Sequence, residues 1–162
     1  MRNLLRSSAL VMLIVLTVVI QVLVTRYYPR FFLDLPLLSV LYLTIAKEDL
    51  LWTVCAGTAV GFLQDSLSSG PLGISGFTKI LIGCLVYMTN AVIAVDRITA
   101  RWGMLFVASL LGAFLFLGLR IMFLNRNEMI DGTRILLSGL VNASVGLPLF
   151  YILDKLFQST NE

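Results

Sequence analysis

Residues 7–25 read SSALVMLIVLTVVIQVLVT, nineteen positions without a charge. A helix that crosses a membrane needs about 20 mostly apolar residues, within a range of about 17–25, so this run is long enough. It shows none of the period-two alternation of a barrel strand, and a helix is the expected form. Arg2 and Arg6 precede it, as a basic stretch precedes the apolar core of a signal peptide. The run ends, however, in Val24-Thr25-Arg26-Tyr27-Tyr28 rather than in a small-residue cleavage site, so it is expected to stay in place as a first helix. Five further apolar segments follow at residues 31–46, 50–67, 77–95, 103–124 and 134–156. The connections are short, which makes consecutive segments antiparallel neighbours. The fold expected is an all-α polytopic membrane protein, one domain over residues 1–162 built as a compact six-helix transmembrane bundle. The second segment is the doubtful span: about 16 residues at 1.5 Å each reach about 24 Å, short of the roughly 30 Å hydrocarbon core.

Composition agrees with that architecture. Of the 162 residues 59% are hydrophobic and 13% charged, against about 25% charged in a soluble domain; too few polar groups exist to cover a water-facing surface. The net charge of +3 is small and scattered, which argues against a nucleic-acid partner. The chain has no histidine, so Ser-His-Asp triads and His-ligated zinc are excluded. Cys55 and Cys84 lie toward opposite faces and are not expected to pair. No metal, no cofactor and no enzymatic activity are expected. Lys and Arg counts favour both termini on the cytoplasmic side, with Arg2, Arg6, Lys47, Arg97, Arg101 and Lys155 inside and Arg26, Arg30, Arg126 and Arg134 outside.

That topology places four ionisable residues at one depth. Asp34 is early in the second segment, Asp65 late in the third, Lys79 early in the fourth and Arg120 late in the fifth, all toward the outer side, with Asp131 and Arg134 just above. A charge at mid-membrane costs roughly 2.5–3.5 kcal/mol on insertion scales, so it faces protein or water. Three readings fit: snorkelling to the interface, an ion-pair network that fixes helix register, or a binding site for a polar ligand or partner segment. Asp65 is the most telling, because a carboxylate has no long stem with which to snorkel.

Small residues form a second pattern. Gly57 and Gly61 share a helix face with Asp65, and Ser138, Asn142 and Gly146 recur at the same spacing of four, which lets helices approach closely. Asn142 is expected to form an interhelical hydrogen bond, and Pro148 to kink the last segment. Between the third and fourth segments lies Ser66–Gly76, SLSSGPLGISG. This stretch is uncharged, moderately apolar and rich in turn formers, and it would cap a small outward-facing pocket between Asp65 and Lys79.

The run Gly61-Phe-Leu-Gln-Asp65, then Ser66-Leu-Ser-Ser-Gly70-Pro71-Leu-Gly73, then Gly76-Phe-Thr-Lys79 resembles the signature of the rod shape-determining protein MreD family. The motif covers about residues 57–79; length and six apolar segments extend the likeness to the whole chain. The resemblance maps Gly61, Asp65, Gly70 and Gly73 onto the family's motif without a catalytic role for the acid. It implies a fold similar to the substrate-binding subunits of energy-coupling-factor transporters. It also implies a non-enzymatic scaffold in the bacterial inner membrane that binds MreC through its membrane helix and juxtamembrane segment. The wider assembly it implies contains MreB, RodA and a class B penicillin-binding transpeptidase, and serves peptidoglycan synthesis and rod shape. The competing readings are a vitamin-like small-molecule subunit of an uptake transporter and a pocket for a lipid headgroup.

Overall fold

The computed structural model describes residues 2–28, 33–47, 49–68, 71–92, 98–124 and 132–158. Among the described residues are six α-helices and no strand: α1 Arg2–Tyr27, α2 Leu35–Lys47, α3 Leu50–Leu67, α4 Ile74–Val92, α5 Ile98–Leu124 and α6 Gly132–Gln158. Leu50–Leu67, Ile98–Phe123 and Gly132–Lys155 are long and apolar enough to cross a membrane; Ile14–Tyr27, Leu35–Ala46 and Ile74–Asn90 are shorter apolar helical stretches.

The helix ends follow from local chemistry. Asp49 caps α3, its carboxylate accepting the Leu51 N–H at 2.9 Å. Helix α4 starts at Ile74, three residues ahead of the boundary expected from hydropathy. Gly73, at φ 100°, makes the turn there, and its carbonyl accepts the Phe77 N–H at 2.9 Å. Helix α2 starts at Leu35, later than expected, because Asp34 caps it: the Leu37 N–H donates to Asp34 Oδ1 at 3.0 Å and the Leu38 N–H to the Asp34 carbonyl at 3.1 Å. Residues 31 and 32, at the expected start of that segment, lie outside the described residues. Helices α1, α5 and α6 run beyond residues 7–25, 103–124 and 134–156 at both ends except the Leu124 terminus of α5. Helix α6 continues through Pro148 as one helix.

Helix α2 is the hub. Leu37 through Thr44 are all buried, and α2 touches every other helix. A helix apolar all round belongs inside a bundle. Its residues Leu37, Leu38, Leu41 and Tyr42 join Ile82 and Val86 of α4, Leu105 and Ala108 of α5, and Ala143 and Phe150 of α6 in one core. Tyr42 meets Phe150 edge to face at 5.3 Å. Val18 of α1, Val40 and Val60 form a second cluster. Away from the cavity described below, Arg101 of α5 and Asp154 of α6 form a half-exposed ion pair at 3.0 Å.

In lipid there is little hydrophobic gain from joining apolar helices, so close van der Waals packing and interhelical hydrogen bonds hold the bundle together. The small-residue faces are spent on that packing. A Cβ on Gly61 would lie 2.0 Å from Cα of Gly76, so α3 and α4 meet backbone to backbone. Gly57 faces Ile80 of α4, and Gly146 faces Leu105 of α5 and Leu38 of α2. The Gly61 crossing is directional. The clash sits on one side only, since a Cβ on Gly76 would meet its nearest neighbours at an ordinary 3.8 Å. Gly61→Ala should therefore lower the melting temperature in mild detergent, by an overpacking penalty of about 1–3 kcal/mol or more, while Gly76→Ala melts close to the wild-type chain. Equal melting of the two variants would contradict the close crossing.

Candidate functional site

Two helix N-termini start inside the protein, and each must find partners for N–H groups that no preceding turn can satisfy. At α2 the partners come from three elements. The Asp34 N–H donates to Asn142 Oδ1 of α6 at 2.8 Å, and the Leu35 N–H to Gln21 Oε1 of α1 at 3.2 Å. Pro36 has no N–H to satisfy, and Asp34 itself takes the next two. Gln21 also donates through Nε2 to the Leu33 carbonyl at 2.7 Å. Asn142 thus joins α6 to the start of α2, and its Nδ2 faces Ser138 Oγ at 3.5 Å.

At α4 the partner is Asp65, one turn beyond Gly61 on α3. Its Oδ2 accepts the Gly73 N–H at 2.8 Å and the Ser75 N–H at 3.2 Å. Asp65 is 4% exposed. It caps α4 from a neighbouring helix, where a carboxylate also meets the positive end of the helix dipole. The run from Gly61 to Gly76 is therefore one device: Gly61 and Gly76 bring the backbones together, Asp65 reaches the start of α4, and Gly73 bends the chain so that its N–H meets the acid.

Between these two N-termini lies a cavity of about 620 Å³, lined by residues of all six helices. That volume falls in the usual range for small-molecule sites, about 300–1,000 Å³. Leu33, Leu37, Phe116, Leu117 and Ile135 give it an apolar wall. Its charged lining is Asp34, Asp65, Lys79, Arg120 and Arg134. Lys79 is 3% exposed, and its Nζ lies 3.7 Å from Asp34 Oδ2. Arg120 also lies over the Phe116 ring, 5.8 Å from its centre. Two oxygens in the lining, Gln64 Oε1 and Ser109 Oγ, are buried without a hydrogen-bond partner among the described residues.

The structure thus brings Asp34, Asp65, Lys79 and Arg120 to one cavity, with Pro71 of the connecting loop in its lining. It divides the acids, however. Lys79 faces Asp34, and the hydrogen bonds of Asp65 go to the backbone of the loop and of α4. Gly61 and Gly76 lie at the α3–α4 crossing beneath the loop; Gly70 and Asp131 lie outside the described residues. Cys55 and Cys84 are both free thiols. Among the described residues no cluster of Cys, Asp and Glu could hold a metal ion. Sequence reasoning passed over Gln21, Gln64 and Ser109. Gln21 was findable, as the only amide in an otherwise apolar stretch of the first helix. The other two carry no comparable signal, since glutamine beside an acid at a helix end and a lone serine in a long apolar helix are ordinary.

An all-helical membrane protein whose bundle forms an open cavity, with charged and polar groups beside an apolar wall, is the class that fold and site define. The chain matches the model of the family described as rod shape-determining protein MreD over residues 1–160. It belongs to that family, whose proteins are determinants of cell shape. Comparison with the curated proteins finds no match, and comparison with solved structures finds none.

Both capping arrangements predict the effect of losing a side chain. Leaving a buried polar group without its partner costs about 1–3 kcal/mol. Asp65→Ala should lower the melting temperature, by a loss of stability in that range, and open the chain at residues 71–73 to protease, whereas Asp65→Asn, which keeps an acceptor oxygen, should lose less than half as much. Gln21→Leu deprives both the Leu33 carbonyl and the Leu35 N–H of their partner, and should destabilise the chain at least as much as Asp65→Ala. A Gln21→Leu variant that melts with the wild-type chain would show that water or another group serves the start of α2.

Proposed function

We propose that this protein is a non-enzymatic scaffold of the bacterial elongation machinery, which binds MreC in the cytoplasmic membrane and supports peptidoglycan synthesis and rod shape. Family membership over nearly the whole chain carries the reading. In this proposal both termini face the cytoplasm, all six helices lie in the bilayer, and MreB, RodA and a class B penicillin-binding transpeptidase belong to the wider assembly. No cofactor takes part.

The packing narrows where a partner helix engages. The face of Gly57 and Gly61 is filled by α4, which leaves no room for a second backbone there. Exposed apolar ridges remain on α1, with Val15, Leu16, Val19, Ile20 and Leu23, and on α5, with Val107, Leu111 and Phe114. The spacing of four and three on α5 suits a helix laid alongside. The role assigned to the scaffold is to hold the membrane helix of MreC on such a ridge and its juxtamembrane chain near the polar end of the bundle.

The test is a pull-down of the tagged full chain from bacterial membranes in mild detergent, with MreC co-expressed. Co-purification of MreC is expected. Its absence would overturn the scaffold reading, and recovery of an ATPase pair with a coupling membrane subunit would put an uptake-transporter subunit in its place.

A further inference from the structure

The helices do not close fully around the cavity. Around the central α2 the others follow in the order α1, α3, α4, α5 and α6, each packed on the next. Among the described residues α1 and α6 do not pack against each other, so the ring has a gap between them. Gln21 of α1 and Asn142 of α6 meet at the start of α2 and bridge the gap at that level. Thr25 on α1 and Ile135 and Ser138 on α6 line the cavity from the two sides of the gap, and Thr25 is exposed.

Inside the cavity two polar atoms are left over. The hydroxyl of Ser109, a residue 1% exposed, and Gln64 Oε1 are buried without a hydrogen-bond partner among the described residues. The amide oxygen only accepts, so it needs an O–H or N–H, whereas the hydroxyl has a proton to give. The charges ask for less. Lys79 is paired with Asp34, Asp65 is spent on the start of α4, and Arg120 and Arg134 have partners within the protein. The lining therefore calls for hydrogen bonds and not for an ion. Water would serve the two oxygens but would gain nothing from the wall of Leu33, Leu37, Phe116, Leu117 and Ile135. A molecule that arrives through hydrocarbon is also favoured without charge. An acylglycerol with one free hydroxyl fits each demand: an O–H donor, ester carbonyls as acceptors, and chains for the apolar wall.

We propose that this cavity binds an uncharged, hydroxyl-bearing lipid of the acylglycerol class, which enters from the bilayer through the gap between α1 and α6. Its hydroxyl donates to Gln64 Oε1, and an ester carbonyl accepts from the Ser109 hydroxyl. Its chains lie along the apolar wall and leave through the gap. The proposal rests on the cavity alone and stands whether or not MreC is the protein partner.

The experiment is thermal melting of the delipidated full chain in mild detergent, with dioctanoylglycerol, its O-methyl ether or glycerol added. Dioctanoylglycerol at about 100 times its Kd should raise the melting temperature by about 5 °C or more. The methyl ether has the same shape and no hydrogen-bond donor, and glycerol has the hydroxyl groups and no chain; each should give less than half the rise. Two variants place the lipid. Ser109→Ala removes a buried hydroxyl that bonds to no other described residue, so the chain keeps its fold, and a lipid on the outer surface cannot touch residue 109. Thr25→Trp narrows the gap from an exposed position. Each should cut the rise with dioctanoylglycerol to less than half, while Met88→Trp, at an exposed position of α4 outside the lining, should leave it whole. No rise with dioctanoylglycerol overturns the proposal. So does half the rise or more with the methyl ether, or with glycerol, which would assign a soluble polyol. Half the rise or more in Ser109→Ala or Thr25→Trp, or an equal loss in Met88→Trp, also overturns it and puts the lipid on the outside of the bundle.

Discussion

A helix that begins inside a membrane protein has N–H groups that water cannot reach, and side chains must serve them. This chain has two such starts, α2 and α4, and much of its architecture follows from how they are served. The start of α2 draws Gln21 from α1 and Asn142 from α6 to one point. The start of α4 draws Asp65 from α3. Each cap is also a tie between helices, so the same bonds that satisfy backbone polarity fix α1, α2 and α6 relative to one another, and α3 relative to α4. Hydrogen bonds do this better than apolar contacts, because sliding one leucine along another costs little in lipid, whereas sliding an amide off its partner strands both groups.

The length of α2 turns that constraint into a cavity. Its 13 residues rise about 20 Å, roughly 10 Å less than a hydrocarbon core. Longer neighbours surround it, and above its start no α2 backbone fills the centre of the bundle. The side chains that gather there to cap the helix are polar, so the space they border has polar groups beside its apolar wall. The Gly61–Gly76 crossing keeps α3 and α4 close enough for Asp65 to close one side of it.

The helices and their order were legible because continuous apolar runs divided by short polar breaks leave few other folds. The start of α3 was legible from hydropathy alone, because Asp49 stands at the edge of the apolar run and caps the helix there. The start of α4 fell three residues earlier than hydropathy indicates because Gly73 sets it by backbone conformation, and a positive φ leaves no trace in an apolarity profile. The four charged residues could be assigned to one depth by counting along antiparallel helices. Which acid meets which base could not: Asp65 prefers backbone N–H groups to any cation, and those groups belong to every residue and mark none. Gln21 shows the same blindness from another side. Attention to charge passes over a neutral amide, yet in a medium without water an amide that both donates and accepts serves a helix start as well as a carboxylate.

Stability alone does not account for the charged lining. Exchanging a buried ion pair for packed apolar side chains is often neutral or stabilising by about 1–4 kcal/mol, and a bundle rich in leucine and valine could have filled its centre that way. Asp65, Gln21 and Asn142 have structural employment in the two caps. Lys79 pairs with Asp34 and Arg120 lies over the Phe116 ring, while Ser109 Oγ and Gln64 Oε1 are buried in the same lining without a hydrogen-bond partner among the described residues. Those two oxygens are the part of the lining that neither the helix starts nor the ion pair accounts for.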